Sequence, residues 1–234
     1  MYYIETIFIL NFKGFCFIQS QTQNATLSYY WPLNNSSELI SKANLINGAN
    51  YSFTKNRLNK PNTAIIFSSG GFEAPAGIYF KSPFSLTFWV NYQKLATNAR
   101  VLDFGNGEMN DNVAIALQST GGIGITIKNG TRSSFDWATS NTSLNINKWY
   151  HVTFVHQNGK AAVYVNGKKE IEKNLNSPNQ VQRTKNYIAK SNWKSDPVSF
   201  VTLSDLKIYN GALTDNEIMF DYSSTVQLPM MSCG

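Results

Sequence analysis

Cysteine is nearly absent from this 234-residue chain: Cys16 and Cys233 sit at opposite ends. No disulfide framework can lie in the body between them, and a chain of this length buries enough surface to fold without one. Histidine is equally scarce. His151 and His156 are the only two. Five residues apart on one extended segment, they face opposite sides and cannot share a metal. A Gly-x-Ser-x-Gly elbow is missing, which removes that signature of a serine hydrolase. No apolar run is long enough to span a bilayer, and no linker rich in Pro, Gly or Ser divides the chain. The expectation is one domain without a transmembrane segment.

What the chain does contain is aromatic and apolar weight, with 15 Phe, 12 Tyr and 42% hydrophobic residues. That suffices for a substantial core and excludes disorder. The formal charge is +6 and the isoelectric point about 9.2. The basic residues are mostly scattered. The densest group is Lys168, Lys169 and Lys173, followed by Arg183, Lys185, Lys190 and Lys194, and Glu170 and Glu172 dilute it. This reads as a solvated face. No nucleic-acid-binding motif accompanies the charge, so nucleic acid is not an expected partner.

Turn chemistry dominates the chain. Asn-Gly pairs occur at 47–48, 106–107, 129–130, 158–159 and 166–167, and Asn-Gly supplies the positive φ that two-residue hairpins need. Tyr150 to Gln157, Lys160 to Val165 and the segment from Lys168 therefore form a three-stranded meander. Period-2 patterns add further strands. One face of 84–90 carries Phe84, Leu86, Phe88 and Val90, and one face of 122–128 carries Ile123, Ile125 and Ile127. Segments at 63–67, 100–104, 113–117, 186–189 and 206–209 extend the series. Strands at this spacing without intervening helices predict an all-β, two-sheet antiparallel sandwich or jelly roll. One short helix follows at the end, where Thr214 and Glu217 make a capping box.

Residues 1–20 are apolar enough for a secretory leader, with Ser20 at the cleavage point; a buried first strand or a mis-called start codon is the alternative. The mature domain is then 21–234. Sequons at Asn24, Asn34, Asn35, Asn50, Asn129 and Asn141 fit a secreted or surface-facing glycoprotein.

Several segments, in order, resemble the laminin-G-like jelly-roll family of the concanavalin A-like lectin/glucanase superfamily. They are Tyr29-Tyr-Trp-Pro-Leu33, Phe84-Ser-Leu-Thr-Phe-Trp-Val90, Trp149 onward through Val163-Tyr-Val-Asn-Gly167, and Asp205-Leu-Lys-Ile-Tyr209 with its capped helix. The resemblance covers about residues 28–222. It implies a structural calcium held by carboxylates from the opening loop and the closing strand. Asp205 is the carried-over ligand and Glu38 its partner. This chain departs from the family in both regions. Asn34 to Asn47 contains no Asp, and no Gly shortly precedes Asp205.

Glycosidases of this fold present paired carboxylates. Glu170 and Glu172, two apart, are expected on one strand face, but the lysines flanking them make an ion-paired surface the expectation, not catalysis. Exposed Trp residues offer a better signal. Trp31, Trp89 and Trp149 occupy strand motifs and are expected in the core. Trp193 with Asn192 and Lys194, and Trp137 with Asp136, lie in polar, loop-like surroundings suited to a glycan. The expected role is a non-catalytic extracellular recognition module for glycan or glycoprotein. A structural subunit docking with other subunits is the alternative, and a carbohydrate-active enzyme a third.

Overall fold

The computed structural model describes residues 25–131 and 136–224 in full, and the backbone of 9–12 and 15–18. The rest of the expected leader, the sequon residue Asn24 and Cys233 lie outside the described residues. Strands β1 (Ile9–Phe12) and β2 (Phe15–Ile18) pair with each other and are separate from the main sheet.

The rest is a jelly-roll sandwich in which every strand pairing is antiparallel. Its first layer runs β10 (Asp136–Thr139), β9 (Ile123–Ile127), β8 (Val113–Leu117), β7 (Arg100–Gly105), β14 (Lys185–Ile188) and β5 (Ala64–Ala74). Its second runs from β5 through β15 (Phe200–Asn210), β6 (Phe84–Tyr92), β11 (Tyr150–Gln157) and β12 (Lys160–Val165) to β13 (Lys168–Asn174). Strand β4 (Ile46–Thr54) flanks β5, and β3 (Thr26–Trp31) flanks β15.

Two corners let strands change neighbours. Strand β5 pairs with β15 through Ile65 to Ser68 and with β14 through Phe72 to Ala74. Between them Ser69 turns to φ 68°. A Cβ on Gly70 would stand 1.8 Å from the Ala49 carbonyl oxygen, and one on Gly71 would stand 2.3 Å from that of Ile188. Only glycine permits such close approach of neighbouring backbones. On β15, β5 pairs as far as Leu203 and β3 takes over from Leu206, with Asp205 at φ 54° in the gap.

The core lies between the layers. Phe84, Leu86, Phe88 and Val90 from β6, with Ile123, Ile125 and Ile127 from β9, are buried there, as their period-2 pattern predicts. Burying one such side chain fully contributes roughly 1.5–3 kcal/mol. The meander forms as read: Asn158 and Gly159 have φ of 51° and 69°, Asn166 and Gly167 of 50° and 77°. The helix α1 (Asp215–Ser223) starts on the predicted capping box at Thr214 and Glu217. It covers the outer face of the second layer, where Ile218 packs with Val155, Ala162 and Tyr164.

Three expectations need correction. Glu170 and Glu172 do not share a face, because β13 carries a bulge opposite Val163 and Tyr164, and an extra residue inverts the alternation. Glu170 accepts from the Thr142 amide at 2.8 Å, whereas Glu172 meets Lys160 and Lys169, each at 3.2 Å. Trp149 is half-buried, not core. Trp89 is buried, but on the outer face, between Arg57 at 4.2 Å and the stacked ring of Tyr222 at 5.7 Å.

Candidate functional site: a tryptophan-flanked cleft

Among the described residues, no helix covers the outer face of the first layer. Strand pairing places Arg100, Ala116 and Gly124 in one row of that face and Asp103, Ala114 and Thr126 in the next. The small side chains keep the floor low. Trp137 stands on the same face, opposite Thr126, and is 48% exposed while its neighbour Ala138 enters the core. The loop 191–198 lies across the other side and brings Trp193. The resulting cleft of about 470 Å³ is lined by Arg100, Thr126, Lys128, Trp137, Trp193 and Asp196, among others.

A buried carboxylate fixes that loop. Asp103 accepts from the Asn192 amide at 2.8 Å and from the Asn112 side-chain amide at 2.9 Å. Ser191 Oγ lies 3.3 Å from Asp103 and 2.6 Å from Asp196. Burial holds the Asp103 carboxyl above the usual carboxylate range, although the Arg100 charge and the Asn192 and Asn112 amides pull it down. Arg100 donates to Asp196 at 2.6 Å and sets its guanidinium 5.0 Å from the Trp193 ring centre. At the opposite rim, the Lys173 ammonium of β13 lies 4.6 Å from the Trp137 ring centre. Lys128 is 1% exposed, and its ammonium has no hydrogen-bond partner among the described residues.

The two tryptophans singled out in the sequence thus converge on one cleft. Their proposed companions do not line it. Asn192 spends its side-chain amide on the Asp103 and Lys185 carbonyls, at 3.2 and 3.0 Å. Asp136 faces the other way and accepts from the Asn176 amide at 3.0 Å. Lys194 is exposed beside the cleft. Sequence reading missed Arg100, Asp103, Lys128 and Asp196. Strict alternation sets Arg100 and Asp103 on opposite faces, but a bulge between Arg100 and Leu102 turns both outward.

The carboxylates that the family resemblance assigns to calcium do not fit that ion. Buried Glu38 accepts from the amides of Tyr30 at 2.6 Å, Ile40 at 2.9 Å and Ser41, and from the Ser41 hydroxyl at 2.8 Å. Burial opposes its ionisation, yet these bonds hold its pKa below the usual value. Asp205 takes the Tyr30 hydroxyl at 2.9 Å and Arg57 at 3.1 Å. Protein donors therefore meet the oxygens that calcium would need. No three His, Cys, Asp or Glu side chains gather as a metal site among the described residues.

A second cleft, of about 510 Å³, lies beside the start of α1. Its charged groups satisfy one another: Lys160 and Lys169 pair with Glu172, and the Tyr164 hydroxyl donates to Asp215 at 2.7 Å. It contains no tryptophan.

Of the sequon residues described, Asn34, Asn35, Asn50 and Asn141 are exposed. Asn129 is half-buried, and its amide is held by Ser177 at 2.8 Å and Asn179 at 3.0 Å. No helix among the described residues is long and apolar enough to cross a membrane.

The chain belongs to the concanavalin A-like lectin/glucanases superfamily, whose laminin-G-type family model matches residues 67–219. Among solved structures it is similar to domain 4 of AbnA, a GH43 extracellular arabinanase from Geobacillus stearothermophilus, in complex with arabinotriose. The identity is 19% and the TM-score 0.68, over 86% of this chain and 99% of that one. It is also similar to the binding domain of botulinum neurotoxin serotype D, at 15% identity and TM-score 0.63, and to that of Paraclostridial Mosquitocidal Protein 1, at 20% and 0.59. The match covers 88% and 86% of this chain respectively, but spans about half of each toxin domain, 53% and 52%. At these identities the likeness establishes the fold alone. No curated protein sequence matches the chain.

Proposed function

We propose that this chain is a non-catalytic extracellular module that binds saccharide between Trp137 and Trp193. The observation that carries the proposal is the convergence of these two rings, from separate segments, over a floor of small side chains edged by polar groups on the outer face of the first layer. Tryptophan offers an apolar face for the C–H side of a sugar ring, while a few placed polar groups, here Arg100, Asp196 and Thr126, fix its orientation. A relative of the same fold holding arabinotriose supports this reading. Hydrolysis of a glycoside needs two carboxyl groups across the bond. Asp196 lines the cleft but is tied to Arg100, which favours binding over turnover. The exposed sequons favour an extracellular setting.

The test is titration of a saccharide panel against the secreted protein. Trp137→Ala is expected to weaken binding about 10- to 100-fold, the effect of losing one buried aromatic anchor. Its unfolding temperature should stay near wild type, since the ring is half exposed. Unchanged affinity in Trp137→Ala would sink the assignment of this cleft.

A second reading, docking into a protein assembly, rests on β4. This edge strand is exposed along almost its whole length, and Ile46, Tyr51 and Phe53 are 50%, 39% and 43% exposed. Exposed edges invite pairing with another chain. A blank saccharide panel together with a stable co-purifying partner would favour it.

A further inference from the structure

Lys128 follows β9 and continues its outward face, two residues beyond Thr126. Its backbone amide donates to the Asn112 carbonyl at 2.8 Å, which fixes it to the edge of the floor. The other charges in and around the cleft have partners. Arg100 is paired with Asp196, Lys173 sits over the Trp137 ring, and Asp103 is met by Asn192 and Asn112. Lys128 alone lines the cleft with a buried ammonium that no acceptor meets among the described residues. A charge withdrawn from water is tolerated only when something pairs with it.

Building on the saccharide reading above, we infer that the ligand carries an anionic group, a carboxylate or a sulfate ester, and that Lys128 is the residue that receives it. The lysine ammonium is a compact charge with three donors, which accepts either oxyanion. The two tryptophans hold the sugar rings, and the anion reaches the floor beside Thr126.

Two matched pairs test this by calorimetric titration of the whole chain: an oligogalacturonate against its methyl ester, and a sulfated galactan oligosaccharide against its desulfated form. In at least one pair the charged member should bind about tenfold or more tightly, the usual value of a charge-assisted contact. The pair that shows the preference tells carboxylate from sulfate. Lys128→Met, which keeps the stem and removes the charge, should bring that ratio close to one and leave the neutral member's affinity and the unfolding temperature no lower. Lys128→Gln should do the same, and Lys128→Arg should restore part of the preference. Equal binding of charged and neutral members, or a preference that survives Lys128→Met, overturns the inference while leaving the saccharide reading standing. If none of the four binds, the inference falls, and the saccharide reading stands or falls on the panel titration.

Discussion

Asp221→Ala is expected to lower the free energy of unfolding by about 3–5 kcal/mol, the range for breaking a buried pair by removing one partner. Asp221 points from α1 into the outer face of the second layer. It accepts from Thr87 Oγ1 at 2.7 Å and from the Lys207 ammonium, and meets His151 Nε2 at 3.2 Å. His151 is 1% exposed and lies against the rings of Trp89 and Tyr222. Alanine would leave the Lys207 charge and two polar groups beneath the helix without their acceptor. Chemical denaturation of wild type and variant measures the difference. A loss under about 1 kcal/mol, the usual limit for an exposed ion pair, would show that the helix is held by its apolar contacts alone.

The same residue sets an acid limit. Burial opposes ionisation of Asp221, yet His151 and Lys207 hold its pKa far below the usual carboxylate value. Its stabilisation is therefore complete above the unfolded pKa of about 3.9 and is lost as pH falls below it. His156 acts earlier. Burial lowers its pKa; its Nε2 donates to the Leu175 carbonyl at 3.0 Å, so its Nδ1 accepts from Ser82 at 2.9 Å. The unfolded chain takes up this proton first, so stability starts to fall below about pH 6.5. Thermal melts should show a shallow loss from there and a steeper one below about pH 4. The steeper limb should flatten in Asp221→Ala.

Asp103→Ala should remove the binding site as well as stability. The Asn192 amide and the Asn112 side-chain amide would lose a buried acceptor, each at about 1–3 kcal/mol. Relief of a carboxyl that burial disfavours offsets part of this, so a net loss of about 2–4 kcal/mol is expected. The loop that carries Trp193 and Asp196 would lose its anchor. Saccharide affinity should then fall about 100-fold even in molecules that remain folded, because preorganisation of the cleft is lost. Titration below the unfolding temperature separates the two effects. Undiminished affinity would mean that the loop does not build the site.

Features that depend on neighbours in sequence were legible without coordinates. Asn-Gly pairs at 158–159 and 166–167 adopt positive φ because their own backbones allow it. The alternation in β6 and β9 names the core because a strand has only two faces. Thr214 and Glu217 start α1 through contacts within one turn. Trp137 and Trp193 were legible as candidates from their polar surroundings, but not as partners. Their meeting depends on Asp103 holding the loop 191–198 across the first layer, which is a long-range hydrogen-bond network. Bulges decided the remainder. One at Arg100 to Leu102 turns Arg100 and Asp103 outward together, and one in β13 separates Glu170 from Glu172. A single extra residue reverses every later side chain on a strand. The choice of where to insert it is made by the pairing strand, and sequence periodicity does not carry that choice.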